Sequence, residues 1–260
     1  MVSRGFARFL LVPLLVGALW SVSSCALRGG QRYTDFITVT PLPPNEYLVI
    51  GFQGGREPWD NEKRNVRQLA LKLRSMQMDG VHVETVENQK RALALQLIRN
   101  ALDRNQDGQL DAVERRSVRI ILYGQSFGGA AVVKLARELE PLQVPVLLTV
   151  QVDSVGRGDG VIPPNVACAA NLYQDEGFFV RGETPIRAED PARTTIVGNF
   201  DYDYKAKPID LSQVSWMKKI FRTAHTKMDF DPEVWARVEG IILHAIRNNA
   251  CGDPEGARQK

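Results

Sequence analysis

Histidine and cysteine are scarce in this chain, with three of each among 260 residues. Three histidines leave few candidates for chemistry that needs an imidazole near neutral pH. An excess of one charge is missing as well: 33 Lys and Arg stand against 30 Asp and Glu, a formal net charge of +3 with no long basic run. That balance lacks the footprint of a nucleic-acid surface and sets this class aside. Internal repeats and low-complexity tracts are absent, and 44% hydrophobic with 24% charged residues is ordinary globular composition. Disordered, collagenous and coiled-coil chains are thereby excluded. The N-terminal apolar run from Phe9 to Trp20 is about a dozen residues, short of the ~20 that span a bilayer as a helix.

Arg4 and Arg8 flank the start of that run, and Val22-Ser23-Ser24-Cys25 follows it. A positive start, a short apolar centre and small residues after it are the marks of an export signal. The last four residues resemble the lipobox of bacterial lipoproteins, where the cysteine is lipidated and becomes the new N-terminus. An ordinary signal peptide cut near Ser24 or Ala26 is the alternative. Residues 1–25 are expected to be the signal, with lipidation at Cys25. Residues 26–45 are expected to form a linker with a possible first strand, and 46–260 one domain large enough to bury a sizeable core. The expected location is the periplasm or cell surface, with membrane attachment through the N-terminal lipid only. Cys168 and Cys251 remain, an even pair that an exported protein can join as a disulfide or keep as buried thiols.

Beyond the signal, strand-like and helix-like stretches alternate. Glu46 to Gly51 is an apolar strand, and Val66, Leu69, Ala70 and Leu73 recur at helical spacing, with Asp60 a candidate cap. Val81 to Val86 is the second strand, and Leu95, Ile98 and Leu102 mark the second helix. Arg119 to Gly124 is the third strand, Val132 to Leu139 the third helix and Val144 to Val150 the fourth strand. Val166 to Tyr173 and Thr194 to Phe200 are further strands. Asp231 caps a final helix with Pro232 at its first position. The alternation of continuous apolar strands with helices predicts an α/β fold, a mostly parallel sheet with helices on both faces. Only a short loop is available between the fourth and fifth strands, so no sizeable lid domain is expected there.

Gly124-Gln125-Ser126-Phe127-Gly128 fits G-x-S-x-G, with a strand running into it and a helix out of it. This is the context in which a serine is exposed on a sharp, strained turn as a nucleophile. Acyl transfer builds charge on a carbonyl oxygen, and backbone N–H groups must face it. In this arrangement one comes from the residue after the serine, Phe127. The other comes from the loop after the first strand, Phe52 or Gln53. From Tyr47 to Ala250 the chain resembles an α/β hydrolase, and the Gly-Gln-Ser-Phe-Gly-Gly stretch is similar to lipase, esterase and thioesterase elbows. The resemblance implies a Ser-His-Asp mechanism on a carboxylic ester or thioester and no organic cofactor.

The serine needs a base. His82 lies inside a strand and His244 within the last helix, whereas His225 falls after the last strand, where the family places its base. The acid partner is open between two aspartates. Asp153 directly follows the fourth apolar run, in a turn that resembles pancreatic-type lipases, and Asp175 follows the next strand, the commoner family position. Asp153 is taken first and Asp175 second; Asp201 and Asp203 come after the last strand.

Residues 103–114 fit an EF-hand loop. Asp103, Asn105, Asp107, Asp111 and Glu114 supply side-chain oxygens, Gln109 its carbonyl, and Gly108 the sharp turn. The expected role is a structural Ca2+ site at the sheet end away from Ser126, with an acidic turn without metal as the plainer reading. Arg157-Gly158-Asp159 spells an adhesion tripeptide of the kind chance produces, and residues 199–204 read as a surface loop, with a pocket rim as the alternative. The function expected is an exported serine hydrolase. The rival is a non-catalytic, calcium-stabilised surface lipoprotein that keeps the fold for binding.

Overall fold

The apolar runs are continuous because each strand is covered on both sides. The computed structural model describes residues 30–176, 182, 184–212 and 223–254. The signal segment with Cys25 therefore lies outside the described residues. The elements, in order, are β1 (Tyr47–Gln53), α1 (Asn65–Ser75), β2 (Val81–Glu87), α2 (Arg91–Leu102), β3 (Arg119–Gln125) and α3 (Phe127–Leu139). There follow β4 (Val146–Val152), β5 (Val161–Ile162), β6 (Val166–Tyr173), β7 (Arg187–Ala188), β8 (Thr195–Asp201), α4 (Thr223–Phe230) and α5 (Pro232–Asn248).

Six strands form one sheet in the order β2-β1-β3-β4-β6-β8, and every pairing in it is parallel. The short β5 and β7 pair separately. Alternate side chains enter two cores. Leu48, Ile50, Phe52, Ile120 and Leu122 pack with α2 and α3. Val49, Ile121, Tyr123, Val150 and Ala170 pack with α1 and α5. Helices thus cover both faces, the architecture that the sequence predicts.

Several boundaries differ from the sequence reading. Asp60 does not cap α1. Residues 54–64 close their own turns, Glu57 N to Gly54 O, Asn61 N to Pro58 O and Arg64 N to Asn61 O, so the helix starts only at Asn65. β4 begins two residues later than expected. Val144 N is spent on Leu139 O at the end of α3, and Pro145 has no N–H to give a ladder. Among the described residues no strand precedes β1. Residues 31–38 instead lie along the β2 edge, where Gln31 Nε2 donates to Thr85 O and the amides of Ile37 and Thr38 donate to Glu84 Oε1. Glu84 is fully buried and is paired with Arg74 at 2.9 Å. Tyr202 and Tyr204 are core residues rather than loop surface: both pack in the cluster under α5, and the Tyr204 hydroxyl can donate to Asp231 at 2.8 Å.

Helix α5 starts as expected: Asp231 accepts from Glu233 N, and Pro232 follows the cap. Its return across the sheet brings Cys251 to Cys168, and the two are joined as a disulfide with Cα atoms 5.4 Å apart.

Candidate active site

In a parallel sheet every strand ends at the same edge, and loops there can converge. β1 has β2 on one side and β3 on the other, and α1, after β1, and α3, after β3, leave to opposite faces. A crevice opens at such a switch point, outside the strand ends. The loop after β1 and the turn after β3 meet at that place.

Ser126 stands alone between β3 and α3, at φ 56° and ψ −125°. Such a conformation costs a non-glycine residue on the order of 1–3 kcal/mol and persists only where surroundings fix it. Here Ser126 N donates to Val152 O at 2.9 Å, and Ser126 O accepts from Gly129 N at 2.9 Å and Val155 N at 3.1 Å. The flanking glycines are needed for approach. A Cβ on Gly124 would fall 2.4 Å from Gly128 O, and one on Gly128 would fall 2.1 Å from Phe52 O. The end of β1 is thereby pressed against the first turn of α3.

Asp153 is the first residue after β4. Its φ is 43°, and its N–H donates to Leu172 O at 2.7 Å. The side chain is fully buried. Oδ2 lies 2.6 Å from His225 Nδ1, and Gln174 Nε2 donates to Oδ1 and Oδ2 at 3.4 and 3.2 Å. Gln174 Oε1 is itself committed to Glu176 N at 2.9 Å.

His225 is carried by α4, a short helix with no counterpart among the elements that the sequence predicts. Its ring is buried. With Nδ1–H given to Asp153, Nε2 is an acceptor, and Gln125 Nε2 approaches it at 3.4 Å. Helix α4 is held through Asp229: its carbonyl accepts from Asn65 Nδ2 and Trp235 Nε1. Its carboxylate pairs with Arg64 at 2.9 Å. Lys227 Nζ adds bonds to the carbonyls of Tyr204 and Lys207.

Ser126 and His225 line one cleft with Gln53, Glu57, Arg64, Gln125 and Asp229. Arg64 bridges Glu57 and Asp229. Burial acts to lower its pKa, but the two carboxylates outweigh burial and hold it above the usual value. At the end of β1, Phe52 is paired with both β2 and β3, whereas Gln53 is paired with β2 alone. Phe127 is half-exposed beside Ser126.

The remaining candidates lie elsewhere. His82 bonds Glu46 at 2.6 Å, and His244 contacts Asn248. Asp175 is exposed beyond β6, and Asp203 accepts from Lys205 N. Asp159 of the Arg-Gly-Asp triplet is fully buried and accepts from Ser154 Oγ, so the triplet is no adhesion surface. Three groups were not legible in the sequence. Gln125 and Gln174 are glutamines without a motif role, and the Glu57–Arg64–Asp229 cluster joins Arg64 to a residue 165 positions away.

The 103–114 loop precedes β3 and so sits at the end of the sheet opposite Ser126. It folds onto its own amides. Asp103 accepts from Asp107 N and Gly108 N. The buried Glu114 accepts from Arg104 N, Asn105 N and Asp111 N. Gly108 has φ +80°, as its place at the sharp turn requires. Among the described residues no three His, Cys, Asp or Glu side chains are gathered as metal ligands.

No family model matches the chain, and neither does any curated protein. Solved structures give remote likenesses. A cutinase-like protein from Cryptococcus sp. is 13% identical, over 80% of this chain and 98% of that one, at a TM-score of 0.44. A Trichoderma reesei cutinase in complex with a phosphonate inhibitor is 14% identical, over 75% and 79%, at 0.32. An arylesterase is 18% identical, over 44% and 38%, at 0.30. At these values no residue role passes from those proteins to this chain.

Proposed function

We propose that this chain is an exported serine hydrolase acting on a carboxylic ester or thioester, with Ser126 as nucleophile, His225 as base and Asp153 as acid partner. The observation that carries the reading is the buried 2.6 Å bond from His225 Nδ1 to Asp153 in a cleft that also contains the strained Ser126. The carboxylate fixes the tautomer in which Nε2 is an acceptor, and Ser126 takes the place at Nε2 that Gln125 Nε2 now approaches at 3.4 Å. Ser126 Oγ bonds to the substrate carbonyl carbon as its proton passes to His225 Nε2. The oxyanion takes N–H bonds from Phe127 and from Gln53, whose backbone is less engaged in the sheet than that of Phe52. The bond to the leaving oxygen or sulfur breaks, and His225 returns the proton to it. Water then gives a proton to His225 and attacks the acyl-serine, and Ser126 recovers the proton. A fluorophosphonate probe tests the reading. It should label Ser126 in the wild type and not in Ser126→Ala, and that variant should lose hydrolysis while keeping its fold. An unlabelled, inactive wild type removes the proposal and leaves the binding lipoprotein, and an active Ser126→Ala removes Ser126 as the nucleophile.

Export and lipidation at Cys25 belong to the same proposal, supported by the N-terminal pattern. So does a structural Ca2+ in the 103–114 loop. Its donor set is all oxygen, which suits a hard cation. The residues that would hold it are Asp103, Asn105, Asp107, Asp111 and Glu114, with the Gln109 carbonyl. Glu114 would exchange its bonds to the loop amides for the ion. A site there would fix the approach to β3 and would take no part in acyl transfer.

A further inference from the structure

The walls of the Ser126 cleft bear on what it binds, granted the serine-hydrolase reading. Among the described residues its lining is polar: besides the nucleophile and base it has Gln53, Glu57, Arg64, Gln125, Thr226 and Asp229, with Val66 the one apolar side chain apart from two glycines. A long acyl chain gains nothing on such a wall. It would strip water from the Arg64, Glu57 and Asp229 charges and return no hydrogen bond. An anionic substrate is disfavoured too, because two carboxylates face one guanidinium. Hydroxyl groups fit. A carboxylate has about four lone-pair sites and accepts from several donors at once, and a guanidinium has five N–H donors. A hydroxyl answers both, since it donates and accepts.

A second, separate observation points the same way. Gln53 is fully buried and lines the cleft, and its Oε1 has no hydrogen-bond partner. Buried polar atoms are nearly always satisfied, and of the unsatisfied ones among the described residues Gln53 Oε1 alone belongs to a residue lining this cleft. A turn of the Gln53 amide toward the cleft, at the cost of its long 3.4 Å bond to Trp59 O, would let a donor hydroxyl on the substrate supply the missing bond.

We propose that the substrate is a short-acyl ester of a neutral, hydroxyl-rich alcohol of the carbohydrate or polyol class. Glu57, Arg64, Asp229 and Gln53 read the hydroxyl groups, and Ser126 cleaves the acyl–oxygen bond by the steps given above. The test compares acetate release from glucose acetylated on its primary hydroxyl with release from cyclohexylmethyl acetate. The acyl group is the same and the ring similar in size, so the hydroxyls and the ring oxygen are what differ. The sugar ester should be favoured at least about tenfold in kcat/KM, since a site built to hydrogen-bond hydroxyls rejects an analogue without them. Activity on nitrophenyl esters should fall from acetyl to lauroyl. The sugar-to-cyclohexyl ratio should drop toward one in Glu57→Leu and hold better in Glu57→Gln. Equal rates on the two acetates, rates that rise with acyl length, or a labelled Ser126 with neither acetate cleaved would each overturn the substrate class and leave the nucleophile in place. An unlabelled, inactive protein would overturn the hydrolase reading and this one with it.

Discussion

Replacing Asp153 by asparagine probes the site at its most constrained atom. The carboxylate accepts from His225 Nδ1 on one side and from Gln174 Nε2 on the other. Asparagine has one acceptor oxygen and one NH2. If its oxygen faces Gln174, its NH2 faces His225, which then carries its proton on Nε2 and cannot take one from Ser126. If its oxygen faces His225, two NH2 groups oppose each other unless Gln174 turns over. Turning Gln174 sacrifices its bond from Glu176 N. The productive tautomer thus costs about one neutral hydrogen bond, 0.5–1.5 kcal/mol. The transition-state imidazolium also loses a charge-assisted bond of about 1.5–3 kcal/mol. Together these are about 2 to 4.5 kcal/mol, or roughly 30- to 2,000-fold in kcat. The assay is kcat on a nitrophenyl acetate, with circular dichroism to confirm the fold. Adding Gln174→Glu to Asp153→Asn gives the amide NH2 an acceptor and should recover the tautomer share, about 2- to 10-fold. A kcat for Asp153→Asn within about threefold of wild type would refute this account of the base.

Three other outcomes are expected. The disulfide closes a separation of 83 residues; by the chain-entropy relation, removing it with Cys168→Ala and Cys251→Ala should lower the urea-unfolding free energy by about 4.5 kcal/mol, and a loss under about 1 kcal/mol would contradict the estimate. Calcium at 10 mM should raise the Tm of metal-free protein by about 3 to 10 °C, if affinity is in the extracellular range of about 0.1–1 mM. Asp103→Ala with Glu114→Ala should abolish that rise, and a wild-type melting curve indifferent to calcium would end the site. Burial pushes the Tyr202 hydroxyl up to about 12 and raises Tyr123 and Tyr204 as well. A raised folded pKa keeps its full stabilisation below the unfolded value of about 10 and loses it as pH climbs toward the folded one. Stability should therefore fall steeply between about pH 10 and 12, and Tyr202→Phe should make the fall shallower in urea titrations at each pH.

The strands were legible because a two-faced buried sheet leaves uninterrupted apolar runs, and Ser126 because the elbow needs glycines at fixed offsets. Asp153 was legible for a related reason: it is the first polar residue past the end of β4, at the edge where Ser126 emerges. Helix α4 was not, because only Ala224 and Met228 of it join the core, too few to set a helical period. The start of α1 was misjudged because backbone turns among residues 54–64 compete with the Asp60 cap. Gln174 carries no sequence signal at all. A glutamine becomes a carboxylate's partner only through the way two strand ends are placed, and that information is tertiary.

The candidate site has two mechanical halves. Ser126 and the Asp153 turn are stitched together by sheet-edge amides: Ser126 N on Val152 O, Val155 N on Ser126 O, Asp153 N on Leu172 O. Neither residue can leave without tearing the centre of the molecule. His225 rides on an eight-residue helix fastened by a handful of side-chain bonds, several of them converging on Asp229. Such a unit can open while the sheet stays intact. Heating should then silence hydrolysis before it melts the fold. The temperature that halves the initial rate should lie below the midpoint seen by far-ultraviolet dichroism, and cooling from between the two should restore activity at once.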